Sequence, residues 1–125
     1  MRTEWAIVAV GLMVVGQPVP AAEWSVLAHD GDTTYFIDYS TLTHEGDVLN
    51  FWFEATFPPQ KNVTSVVQSI EIRCARKMSR TLATTMTDER GQVLQSEKDK
   101  NAKLRPIKAG SVEELIWQLM CAEKN

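Results

Sequence analysis

Apolar and polar positions alternate with a period of two along most of this chain, then change to a helical period close to its end. Trp24 to Ala28 reads as a first short strand. Asp30-Gly31 marks a tight turn, because glycine takes a positive φ without a Cβ clash. Thr33 to Asp38 is β-branched and aromatic and suits a returning second strand. Tyr39 to Gly46 carries serine, threonine, histidine and glycine and reads as a connection. Asp47 to Thr56 predicts a long strand with Leu49, Phe51, Phe53 and Ala55 on one face and Val48, Asn50, Trp52 and Glu54 on the other. Phe57-Pro58-Pro59 should end it, since proline has no amide hydrogen for a ladder, and a polar loop at Gln60 to Asn62 follows. Val63 to Ala75 alternates again, with Ile70, Ile72 and Cys74 inward and Glu71 and Arg73 outward. Met78 to Thr87 and Gln92 to Ser96 flank a turn at Asp88 to Gly91. Hairpin links in succession imply an antiparallel meander.

Glu97 to Lys108 is charged and aperiodic and reads as a surface connection. Ser111 and Glu114 then stand at capping-box spacing, with the hydroxyl taking an orphan helix amide and the carboxylate returning to the cap's own amide. Val112, Leu115, Ile116 and Leu119 form an i, i+3, i+4, i+7 stripe, widened by Trp117 and Met120. The fold class is therefore α+β, a meander sheet with one C-terminal α-helix packed on it.

The first residues read as a leader rather than as part of that domain. Arg2 gives a positive start, Ala6 to Gly16 an apolar run, and Val19-Pro20-Ala21-Ala22 small residues for cleavage. The run is too short to cross the roughly 30 Å hydrocarbon layer of a bilayer as a helix. Residues 1–21 are expected to be a signal peptide, cut after Ala21 or Ala22, and residues 22–125 a single domain, periplasmic or secreted. No transmembrane segment is expected in the mature chain. Of the 125 residues, Cys74 and Cys121 are the only cysteines. An oxidising compartment pairs them, whereas a redox role would want a low-pKa thiol in a setting such as C-x-x-C. A structural disulfide fastening the helix to an inner strand is expected.

Net charge −3 offers no counterion-release gain on DNA, so nucleic acid is not an expected partner. His29 and His44, with Asp30, Asp32, Asp38 and Asp47 nearby, lack the paired spacing of a zinc site. Asp30-Gly31-Asp32 lacks the closing glutamate of a calcium loop. There is no G-x-S-x-G elbow. We expect no enzyme, no metal and no cofactor. Arg73, Arg76, Lys77 and Arg80 form a local basic cluster that could receive an acidic partner, or simply keep a strand and turn solvated. Trp52, on the less hydrophobic side of its strand, either packs under a loop or meets a partner.

The order of several short motifs resembles the surface-adhesin protein E family. These are a tryptophan opening the first strand, Y-F-I-D-Y-S-T-L at Tyr35 to Leu42, and V-L-N-F-W at Val48 to Trp52. E-I-R-C at Glu71 to Cys74 follows, then R-K-M-S-R, and R-P-I-K-A-G-S-V-E-E-L with its late cysteine. The resemblance implies a six-stranded antiparallel sheet, a C-terminal helix and a strand-to-helix disulfide. It also implies a non-catalytic binding protein for envelope or extracellular-matrix proteins, with room for a homodimer. Leu104 and Ala109 stand where the family commonly has tryptophan and proline, and the lipid-attachment cysteine is missing. A periplasmic inhibitor of a hydrolase such as lysozyme is the alternative for a small stapled β domain.

Overall fold

Strands that follow one another in sequence and pair antiparallel need only tight links, and this chain supplies them. The structure, a computed structural model, describes residues 23–121; the leader expected at residues 1–21 lies outside the described residues. The elements are β1 (Trp24–Asp30), β2 (Thr33–Glu45), β3 (Val48–Gln60), β4 (Val63–Arg73), β5 (Met78–Thr87), β6 (Val93–Lys98) and β7 (Arg105–Pro106). They are followed by helix α1 (Val112–Ile116), continued by a π-helical turn over Trp117–Cys121. The sheet order is β1-β2-β3-β4-β5-β6, all antiparallel, and β7 pairs with the free edge of β5. The six-stranded meander and its closing helix are as the sequence implies, with a two-residue strand added.

Two of the links use positive φ in different ways. Gly31, at φ 61°, leads the two-residue β1–β2 loop, where glycine carries no steric cost. The β3–β4 loop instead places Lys61 (φ 51°) and Asn62 (φ 72°) in the left-handed region. That is the conformation a primed hairpin turn demands of both central residues.

One face of the sheet holds the core. Register pairs Leu49 with Ile72, Phe51 with Ile70 and Ile37 with Phe53, so these side chains share a side. Ile37, Leu49, Phe51, Ile70, Ile72 and Ile116 are fully buried together, each contributing about 1.5–3 kcal/mol on the transfer scale. The helix lies on this face. Cys74 and Cys121 are bonded, with Cα atoms 5.6 Å apart.

Four local expectations change. Most of Tyr39 to Gly46 is strand: β2 continues to Glu45 after a register shift between Asp38 and Thr43. Pro58 and Pro59 do not stop β3, because they sit inside a second shift between Thr56 and Gln60, where the ladder asks nothing of their missing amides. The stretch read as connection from Glu97 to Lys108 gives β6 two more residues and contributes β7. Leu119 leaves the apolar stripe and is 43% exposed. The π turn is wider than an α turn, so Ile116 and Cys121, five apart, are the buried pair in its place.

Candidate binding surface

Ser111 caps the helix as its spacing predicts, its Oγ accepting from Glu114 N at 3.2 Å. The returning carboxylate takes Gly110 N at 2.9 Å instead of the cap's own amide, which goes to Lys108 O. The other oxygen of Glu114 meets Lys77 Nζ at 2.8 Å, and that ammonium also stands 4.5 Å from the centre of the Trp117 ring. Trp117 Nε1 donates to Cys74 O at 2.9 Å. The Lys77 bond, the Gly110 amide and the same charge together hold the Glu114 carboxyl below its usual range. Lys77 is therefore a clasp between the β4–β5 link and the helix.

Arg73 and Arg80 are engaged in a similar way. Both reach the buried Glu71, Arg73 Nε at 2.6 Å from one oxygen and Arg80 Nη2 at 3.0 Å from the other. Burial pushes the Glu71 carboxyl up, but the two guanidiniums outweigh it and its pKa ends below the ordinary value. Arg80 Nη1 also donates to Ala102 O at 3.1 Å. Of the four cations grouped by sequence, Arg76 alone has no carboxylate partner among the described residues; it is exposed and its contact is Met78 Sδ at 3.7 Å. The structure thus brings Arg73 and Arg80 together on Glu71, and sends Lys77 to the helix.

Trp52 belongs to the sheet face opposite the helix. Its row across the strands is Trp24, Asp38, Trp52, Ser69 and Ala83, and the next row is Val26, Phe36, Glu54, Val67 and Thr85. Trp52 is half-buried, while Trp24 is 37% and Val26 57% exposed. None of Trp24, Val26, Phe36 and Trp52 joins the core cluster. The rows are adjacent, so four apolar side chains share one open surface that carries no helix. Between the two tryptophans Asp38 is buried, accepting from Ser40 Oγ at 2.6 Å, Glu23 N at 2.9 Å and Ser40 N at 3.0 Å. Desolvation raises its pKa and those donors more than offset it, so the carboxyl is held below its ordinary value. Trp24, Val26 and Phe36 were not singled out by sequence. The signal is present as the alternation Trp24, Val26, but a bulge decides which way it faces.

The histidines stay apart. His29 pairs with Thr34 near the start of β2, its Nδ1 3.1 Å from Thr34 Oγ1. His44 lies toward the other end of β2, with Nε2 3.8 Å from Cys74 Sγ. Among the described residues no group of three or more histidine, cysteine or acidic side chains could hold a metal ion. A cleft of about 590 Å³ between the β1–β2 hairpin and the helix start is lined by His29, Asp30, Tyr35, Ser111 and Glu114.

The frame is a small α+β domain with an antiparallel meander, a disulfide-tied C-terminal helix and an open sheet face opposite it. The chain belongs to the surface-adhesin protein E family, whose profile matches residues 24–122. The fold is shared with solved structures of Haemophilus influenzae protein E. Crystal form II is 18% identical with a TM-score of 0.56, over 90% of this chain and 98% of that one. A second structure is 19% identical with a TM-score of 0.54, over 89% and 92%. Protein E from non-typeable H. influenzae is 18% identical with a TM-score of 0.54, over 88% and 82%. No curated protein matches the chain significantly by sequence.

Proposed function

We propose that this chain is an exported, non-catalytic binding protein that docks an envelope or extracellular-matrix protein on its open sheet face. The observation that carries the reading is the apolar quartet Trp24, Val26, Phe36 and Trp52 on a face the helix does not cover. Large aromatic side chains supply most of the energy at protein interfaces, and exposed apolar side chains gathered in one place mark such sites more than scattered ones do. Membership of an adhesin family supports the same reading. Export rests on the leader at residues 1–21, and among the described residues no helix is long and apolar enough to cross a membrane. Arg76, exposed on the β4–β5 link, is a separate candidate contact, while Arg73, Lys77 and Arg80 support the fold through Glu71 and Glu114. A homodimer would use the same open face.

The test is capture of matrix and envelope proteins by the purified protein, compared with Trp24→Ser/Val26→Lys and with Arg76→Glu. Capture should fall at least tenfold in the first variant. Undiminished capture by Trp24→Ser/Val26→Lys would remove the open face from the account, and loss with Arg76→Glu would move the site to the β4–β5 link. Sedimentation of the same variants reads the dimer. Inhibition of lysozyme by the wild-type chain, without capture of any matrix protein, would replace adhesion by inhibition. Intact mass of the native product reads the cleavage after Ala21 or Ala22.

A further inference from the structure

β6 pairs with β5 from Ala83 onward and β7 pairs with it at Met78 and Ser79, so the middle of that edge has no strand beside it. The chain between β6 and β7 swings away there and leaves a cleft of about 450 Å³. Ser79 and Thr81 of β5 form its floor, and the cations Arg80, Lys103, Arg105 and Lys108 stand around it. Arg105 faces the same side as Ser79 by register. The side chains of Lys103, Arg105 and Lys108 are exposed and make no hydrogen bond or ion pair among the described residues. Three cationic side chains without an ion-pair partner thus border one cleft in a chain of net charge −3.

Arg80 also borders the cleft, but its guanidinium is taken up by Ala102 O and Glu71, so the cations free to meet a ligand are Lys103, Arg105 and Lys108. Two carboxylates, Asp99 and Glu113, also line the cleft. Asp99 Oδ1 accepts from Asn101 N and Glu113 Oε2 from Ser79 Oγ at 3.3 Å, which leaves each a second oxygen to accept from a ligand. A simple polyanion would be repelled by them. A ring bearing both an anionic group and hydroxyls would use the whole lining, its oxyanion on the cations and its hydroxyls on the acids. Ala102 and Pro106 are the apolar contributions, so the cleft offers little to the side chains of an apolar peptide.

We propose that this cleft binds an acidic sugar, a carboxylate- or sulfate-bearing unit of an anionic polysaccharide. The site lies on the β5 edge, across the sheet from the β1 edge that carries Trp24 and Val26, so it stands or falls separately from the protein-docking face. The experiment is NMR titration of the purified protein with a heparin-derived tetrasaccharide, a tetragalacturonate, neutral maltotetraose and inorganic sulfate. At least one acidic tetrasaccharide should bind, with shifts centred on Ser79 to Thr81 and Lys103 to Lys108. Preference for the first assigns sulfate as the recognised group, and preference for the second assigns carboxylate. Lys103→Ala/Arg105→Ala/Lys108→Ala should weaken binding at least tenfold while leaving the melting temperature unchanged, because these side chains are exposed and unpaired. Failure of both acidic sugars to bind, equal binding by the triple variant, equal binding of maltotetraose, or inorganic sulfate binding as tightly as the sugars would each overturn the proposal.

Discussion

Two carboxylates on the helix-free face carry charge where solvent barely reaches. Asp38 is 3% exposed and Glu71 6% exposed, and an isolated buried carboxylate would take up a proton rather than stay ionised. Asp38 keeps its charge through three donors from Glu23 and Ser40, and Glu71 through two guanidiniums. Both are held below their ordinary values in the folded chain, so the unfolded chain binds protons more readily. Their stabilisation is complete above the unfolded values, near pH 4, and is lost as pH falls through the lower folded ones. Thermal unfolding should therefore occur at a constant temperature from pH 7 to about 5 and at falling temperatures below about pH 4. Glu71→Gln should cost about 2 kcal/mol at pH 7, the scale of lost hydrogen bonds to a charged acceptor, because it leaves Arg73 and Arg80 without their anion. The same substitution should flatten part of the acid decline. A urea melt of the variant at pH 7 and pH 3.5 checks both, and an undiminished acid slope would assign the decline to Asp38 and other carboxylates.

At the scale of elements, turns and bulges decide which residues meet. The β3–β4 loop holds Lys61 and Asn62 at positive φ, a conformation that costs a non-glycine residue about 1–2 kcal/mol. Asn62→Gly should stabilise the chain by about 0.5–1 kcal/mol, the steric relief less the entropy that glycine adds to the unfolded state. Differential scanning calorimetry of the variant reads it, and a lowered melting temperature would mean that the Asn62 side chain holds the loop. The strands themselves were legible, because Leu49, Phe51 and Phe53 alternate without interruption and glycine or a polar pair marks each reversal. The register shifts were not. Counting back from the Asp30–Thr33 pair without a bulge would place Val26 opposite Ile37 on the core side. The shift between Val26 and Ala28 instead places Val26 opposite Phe36 and Trp24 opposite Asp38, on the open side. One extra residue moves a strand's whole pattern to the other face, and no residue in Ser25-Val26-Leu27-Ala28 announces it. The basic segment was legible as charge but not as structure, since Glu71 lies within the strand that precedes it and Glu114 is 37 residues beyond Lys77. Trp52 was legible as facing away from Phe51 and Phe53, but its neighbours were not, for the same reason of register.

Across the whole molecule, one covalent bond joins two parts that local interactions alone would hold weakly. The ten helical residues from Val112 to Cys121 are too few to be stable in water by themselves. They stay because Ile116 and Cys121 are buried on the sheet, Trp117 bonds Cys74 O, Lys77 meets Glu114, and the disulfide closes a separation of 47 residues. Loop-closure entropy gives that bond about 4 kcal/mol, a large share of the roughly 5–15 kcal/mol a domain commands. Cys74→Ser/Cys121→Ser should lower the melting temperature by roughly 15–30 °C, at the usual scaling for a domain of this size. Circular dichroism melts of wild type, wild type with reductant, and the double variant read it, and a fall below about 5 °C would assign the helix to its apolar packing. The two proposed sites should respond differently to the same change. Trp24, Val26 and Trp52 lie on the face the helix does not touch, so capture of a protein partner should survive at low temperature in the double variant. The acidic-sugar cleft takes Glu113 from α1 and Lys108 from the segment leading into it, so loosening the helix should weaken sugar binding first. Equal loss of both activities in the double variant would mean that the sheet itself depends on its helix.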